Sequence, residues 1–285
     1  MSYELITVER KGDHDGIIWL ELNRPEKLNA LTFPLLAEMY DALTRIRMDR
    51  TARVLVITGK GRGFCAGMDA GGAGDGRGTE FWDDNPDPLQ GAPDSPNYTD
   101  NEGQRLNFRY ETKTFAELRR LDIPVIAGVN GPCVGAGFDM ACLCDLLVAS
   151  TNARYQVAYV KRGLYADLGG FWAIPKILGW RKAMEMMFTG RFMTAEEGHE
   201  AGVSNYLVEP EAFRDRLMEF AQEVENGPPV GQKVGKLMAY RTAYLDYESA
   251  LELSGGVLPL VTGSYDRIEG GTSFRERREP KFTGF

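Results

Sequence analysis

"IPVIAGVNGPCVGAGFDMACLCDLLVAS", Ile123 to Ser150, is the stretch that decides the fold. Its first seven residues are mostly apolar and β-branched, as a buried strand requires, and Phe138, Met140, Ala141 and Leu143 then follow as a helical segment would place them. Between strand and helix stand Gly131, Gly135, Ala136 and Gly137. Glycine gives up the most backbone freedom on ordering, so such a cluster marks either geometry that other residues cannot adopt or a close approach to something. A turn that opens a helix also exposes unpaired N–H groups beside the positive end of the helix dipole, which suits an oxyanion or a phosphate.

Outward from this stretch the alternation continues. "YELITVER" and "GIIWLEL" pair as strands around the turn "KGDHDG". Thr32 and Pro34 open a helix with Leu35, Leu36, Met39, Leu43 and Ile46 on its apolar positions, and "RVLVITG" returns as a buried strand. A second small-residue turn, "GKGRGFCAGMDA", leaves that strand. With "LLVAS" as a further strand, the pattern predicts an α/β fold. From Trp180 onward the pattern is mainly helical, and Phe213, Leu217, Phe220 and Val224 form an amphipathic stripe. We expect a core over residues 1–200 and a helical region over 201–285, too thin for a core of its own and so docked against neighbours. Residues 70–104 form an insert in which Gly, Pro, Asp and Asn dominate. It reads either as a lid carrying Phe81, Trp82 and Tyr98 over a ligand or as a floppy surface loop.

Composition narrows the function. A net charge of -8 repels polyanions, which disfavours nucleic-acid binding but leaves room for a local basic pocket. Cys65, Cys133, Cys142 and Cys144 lack metal-ligand spacing and a nearby histidine, so they read as buried thiols, with no metal expected. The charged N-terminus and the absence of a membrane-length apolar run predict a cytoplasmic protein with no membrane partner. With only His14, in a turn, and His199, in a polar helix, a Ser-His-Asp hydrolase is unsupported. "GAGFDM" also lacks the third small residue of a dinucleotide fingerprint, and no acid lies at the expected distance beyond it.

"FCAGMD" and the opening stretch, together with "LNRPEKLNAL" and "GRFMTAEEGHEAGVSNYLV", resemble the enoyl-CoA hydratase/isomerase (crotonase) superfamily from about Ile17 to the end. The resemblance implies a spiral of ββα units, a helical C-terminal trimerisation region, and a homotrimer or a dimer of trimers. It also implies an acyl-CoA thioester as ligand, coenzyme A entering as part of the substrate with no tightly bound cofactor. By the same resemblance the N–H groups of Met68 and Ala136 polarise the thioester carbonyl. Ala66, Gly67 and Gly135 stand beside the cofactor, and bulk at Gly135 or Gly137 would hold the thioester away.

Asp139 matches a catalytic glutamate of the hydratases, although on its own it reads as a first-turn acid favourable to the helix dipole. Tyr159 stands where hydratases carry a second glutamate, which puts a water held between two carboxylates in doubt. Asp167 resembles one acid of the dienoyl-CoA isomerases, a partial match, while capping preference alone makes it an N-cap ahead of "LGGFWAIPKIL". Arg24, Lys27 and Lys281 are candidates for the CoA phosphates of their own or an adjacent subunit, though surface solvation explains them almost as well. The expected reaction is a double-bond shift in an unsaturated or cyclic acyl-CoA. Alternatives are hydration through Asp139 and a water, carbon–carbon hydrolysis or ring cleavage, and an inactive CoA-binding member.

Overall fold

In the computed structural model, residues 3–69 and 101–285 are described. Val54–Gly59 (β3) and Val125–Val129 (β4) are buried at every position, as strands covered on both faces must be. They lie at the centre of a six-stranded sheet, between β1 (Ile6–Lys11) and β2 (Ile17–Leu22) on one side and β6 (Leu146–Ser150) and β9 (Tyr206–Val208) on the other. Only β1 runs antiparallel to its neighbour, with Ile6 opposite Leu22. A second, three-stranded sheet joins β5 (Pro132–Val134), β7 (Arg154–Gln156) and β8 (Phe192–Thr194).

Helices close both faces of the large sheet. The Thr32 hydroxyl accepts from the Leu35 N–H and starts α1 (Phe33–Met48), whose Leu35, Leu36, Met39, Leu43 and Ile46 are all buried. Beside α1 lies α2 (Asn101–Arg120), which the sequence left unassigned. The last residues of the expected 70–104 insert are therefore helical; its remainder, with Phe81, Trp82 and Tyr98, lies outside the described residues. On the opposite face, α7 (Phe213–Glu225) sets Phe213, Leu217 and Ala221 against Trp19, Val56, Ile126 and Val148. The amphipathic stripe thus packs on its own sheet, and the core runs past residue 200, where a boundary was expected.

Beyond α7 come α8 (Pro229–Thr242), α9 (Tyr247–Thr262) and α10 (Tyr265–Glu276). Lys236 ties α8 to the core, donating to Asp145 at 2.6 Å and to the Ile123 carbonyl at 2.7 Å. By contrast α9 buries none of its residues. Among the described residues no helix is long and apolar enough to cross a membrane.

β4 and β5 deliver the chain to α3 (Ala136–Leu143), every residue of which is buried. A Cβ on Gly137 would lie 2.5 Å from the Cys65 carbonyl oxygen and 2.7 Å from the Cys65 side chain. Packing of α3 on the Cys65 turn, rather than approach of a ligand, is what requires glycine at 137. Gly137→Ala is therefore expected to cost about 1–3 kcal/mol in denaturant unfolding. At Gly235, in α8 with open space around it, alanine should gain roughly 0.5–1 kcal/mol, which makes it the matched control.

Candidate active site

The turns after β3 and β4 meet at their backbones. Gly67 adopts φ +91°, and a Cβ there would stand 2.8 Å from the Val134 carbonyl oxygen and 3.6 Å from the Ala136 nitrogen. Leu31 donates to Gly67 and Asp69 donates to Leu31, each at 2.8 Å, so the Met68 N–H between them faces away from that ladder. Ala136 is the first residue of α3, where an N–H has no acceptor within the helix. Neither N–H donates to an acceptor among the described residues. Two free donors on touching turns make a candidate oxyanion hole at Met68 and Ala136, the pair that the resemblance names. Gly135, at φ +53°, donates its N–H to Gln156, and a Cβ there would meet the Gly67 Cα at 4.0 Å, while Ala66 is anchored to the Leu28 carbonyl at 2.9 Å.

The segment expected to line a CoA channel also braces this turn. Arg24 donates to the Ala30 carbonyl at 2.5 Å and pairs with Asp69 at 3.1 Å, next to Met68. Asn29, fully buried at φ +57°, donates to the carbonyls of Lys60 and Gly63 and accepts from the Arg24 N–H. Arg24 is therefore committed to the protein, and Asn29 is a supporting residue that the sequence reading missed. Of the three phosphate candidates, Lys27 is exposed near the hole. Lys281 lies beside Phe282, whose carbonyl accepts from Arg53 at the start of β3, the opposite end of that strand from Met68. It does not serve the site of its own chain.

Asp139 sits one helical turn beyond Ala136 and is completely buried. Its Oδ2 accepts the Tyr159 hydroxyl at 2.8 Å, and its Oδ1 has no hydrogen-bond partner. Burial pushes the carboxyl up to about 7, against the pull of the Tyr159 hydroxyl and of the Gly170 and Leu168 backbone amides. A Cβ on Gly170 would lie 2.0 Å from Asp139 Oδ1, so only glycine at the start of α4 (Gly170–Leu178) makes room for that oxygen. Burial, and then the neighbouring Asp139, hold the Tyr159 hydroxyl far above its ordinary range, so it is a donor and not a base.

Asp167 is half-buried, and burial raises its pKa. It does not cap α4: that helix starts from Gly169, with no side-chain cap. A third acid, which the sequence reading passed over, joins the group. Glu111 on α2 is half-buried and pushed up to about 7, first by burial and then by Asp167. Tyr159 feels Asp139, Asp167 and Glu111 together. The signal for Glu111 was present in its spacing to Phe115 and Leu118, which put an acid on the buried face of α2. A cavity of about 350 Å³ lies towards the other end of α3, among Arg119, Asp145, Trp172, Lys176 and Tyr240, and includes neither Asp139 nor the hole.

This geometry coincides with a family. Residues 12–90 and 97–284 match the enoyl-CoA hydratase/isomerase family, and the chain belongs to it. The 1,2-epoxyphenylacetyl-CoA isomerase of Escherichia coli (strain K12) is 32% identical over 284 residues, 100% of this chain and 99% of that protein. Carnitinyl-CoA dehydratase of Proteus mirabilis (strain HI4320) is 33% identical, with 94% and 95% covered. The crystal structure of enoyl-CoA hydratase from Bacillus anthracis superposes with a TM-score of 0.86 at 25% identity, covering 99% of this chain and 100% of that one. The fold is thus the crotonase fold, and the protein is an acyl-CoA enzyme.

A buried acid with a raised pKa gives two expectations for Asp139. As a base it must be ionised, so kcat/KM should rise with pH through about 7. Because its folded pKa lies above the unfolded value, ionisation destabilises the fold as pH rises from the ordinary carboxylate range through about 7, by roughly a few kcal/mol once complete. Asp139→Asn should therefore lower turnover roughly a hundredfold or more while raising Tm at about pH 8, a gain that shrinks towards about pH 4. Steady-state assays and melting curves across that range check both.

Proposed function

We propose that the enzyme shifts a double bond in an unsaturated or cyclic acyl-CoA through a thioester enolate. One observation carries this reading: Asp139, its Oδ1 unpartnered and its pKa near neutrality, stands one helical turn from the N–H pair of Met68 and Ala136. Asp139 takes the proton next to the carbonyl, and the electron pair of that C–H bond moves into the enolate, whose charge falls on the thioester oxygen between the two donors. Asp167, entering from the segment before α4, serves a carbon further along the acyl chain.

Tyr159 favours this over hydration. At the position where hydratases place a second carboxylate, its hydroxyl donates to Asp139 and takes up the oxygen that would otherwise help hold a water. The Escherichia coli relative is itself named a 1,2-epoxyphenylacetyl-CoA isomerase, which supports a cyclic acyl group. Lys27 is our candidate for a CoA phosphate.

The chain assembles as a trimer or a dimer of trimers. In α9 no residue is buried, and Tyr247, Leu251, Leu258 and Leu260 are exposed there, followed by Tyr265, Ile268 and Phe274 in α10. Apolar faces of this extent mark interaction surfaces.

A panel of 2-enoyl-, 3-enoyl-, dienoyl- and cyclic acyl-CoAs in deuterated water tests the reaction. Isomers carrying solvent deuterium are expected; products that gain the mass of water would replace this reading with hydration, and no turnover would point to a binding protein. Light scattering at micromolar protein should give the mass of three or six chains, and a stable monomer with full acyl-CoA affinity would refute the assembly.

A further inference from the structure

The cavity beyond the far end of α3 takes no part in the reaction proposed above. Its volume, about 350 Å³, is at the small end of the range in which small-molecule sites fall. α3 and α4 serve both places: Asp139 meets Gly170 at the candidate active site, whereas Leu143, Ala173 and Ile177 line the cavity. With Leu147 and Val203 they give it an apolar floor.

Charge is gathered on one wall. There the half-buried Arg119, at the end of α2, lays its guanidinium against the rings of Tyr240 and Trp172, 5.0 Å from the centre of the latter. Lys176 Nζ stands 4.2 Å from the centre of the same Trp172 ring. The acid on this wall is already taken. Asp145 accepts from Lys236 at 2.6 Å, from the Val125 N–H at 2.8 Å and from the Tyr240 hydroxyl. Arg120, next in the chain, pairs with Glu117, but Arg119 and Lys176 pair with no carboxylate among the described residues. A further donor lines the cavity from the turn before β9: Asn205 accepts the Leu147 N–H at 2.8 Å through Oδ1, and its amide nitrogen bonds to nothing among the described residues.

We infer that this cavity binds a small monocarboxylic acid with an apolar or aromatic body, its carboxylate on Arg119 and Lys176 and its body on the floor. Two cations without an acid of their own repel a cationic ligand and attract an anion. Stacking fixes the plane of the Arg119 guanidinium, so its N–H groups meet two carboxylate oxygens with little left to reorganise. Bare phosphate or sulfate would satisfy the cations and leave the apolar floor uncovered, whereas an apolar body gains by covering it. This inference stands whichever reaction the enzyme catalyses, because no lining residue belongs to the candidate active site.

Calorimetric titration of the full-length, assembled protein at low salt and about pH 7 tests it, with benzoate and hexanoate as ligands. Each should saturate one site per chain with a Kd of about 1 mM or below. Benzamide, hexanol and inorganic phosphate should bind at least roughly tenfold more weakly. R119Q should weaken benzoate by about tenfold or more, and K176Q, which alters an exposed side chain, by roughly two- to fivefold. Excess CoA occupies the other site and should leave benzoate affinity as it was. Lack of saturable carboxylate binding overturns the inference, as does equal binding of benzamide or phosphate, competitive displacement of benzoate by CoA, or an R119Q variant with wild-type affinity. Should R119Q fail to fold, unchanged benzoate affinity in K176Q has the same force.

Discussion

The backbone of Gly67 lies against that of Val134 and Ala136, and the rest of the site depends on that contact. An oxyanion is stabilised by two donors only if both point at one place before the substrate arrives, since donors that must reorganise lose most of their advantage. Here the alignment is built into the sheet. β3 and β4 are parallel neighbours, so the turns that leave them emerge at the same edge. The bond from Val134 to Cys65, 2.9 Å, then stitches one turn to the other. Arg24 and Asn29 hold the outer side of the first turn. A side chain at Gly67 would press on the Val134 carbonyl and part the two turns, which is why a φ of +91° is retained there.

Asp139 follows from the same contact. α3 starts at Ala136, and one turn further along that helix the Asp139 side chain is carried inward, out of reach of bulk solvent. Burial alone would keep such a carboxyl protonated, and a protonated acid removes no proton. The Tyr159 hydroxyl works in the other direction, donating to the ionised form, and the balance falls at about 7. A tyrosine at 159 can do this because Asp139 and burial hold its own ionisation far out of reach. A phenol in place of a carboxylate at that position therefore gives Asp139 a fixed donor as its neighbour.

How much of this the sequence disclosed depends on how local each signal is. The turn and helix from Gly131 to Leu143 were legible because glycine spacing and helical period lie within a dozen residues. Asp139 was legible only with the family resemblance, since a first-turn acid is ordinary. Asp167 was balanced between cap and acid, and the cap position goes to Gly169, a matter of backbone angles that no residue count reveals. Glu111 was overlooked for a similar reason. In "NFRYETKTFAELRR" an acid reads as one more charge on a solvated helix, and the packing of α2 on α1 and α3, both distant in sequence, is not visible in that local pattern. Arg24 misled in the opposite sense: a cation in a cofactor-like motif is drawn inward to Asp69.

With 41 acidic residues in the chain, abundance selects none of them. What sets a few of them apart is partial or full burial with no cation beside them. The acids that support the fold are neutralised by cations or by backbone N–H groups, as Glu117 and Glu225 are, and their contribution is to stability. Asp139, Asp167 and Glu111 have one side-chain hydrogen bond among them, and the three come from α3, the approach to α4 and α2. No one of these elements could hold the group alone, because each is fixed by packing directed elsewhere: α3 on Cys65, α4 on α3, and α2 on α1. The frustration of three poorly solvated acids is therefore borne by contacts that do not involve them. Relieving it with a nearby cation would make the fold more stable and draw the three acids towards ionisation.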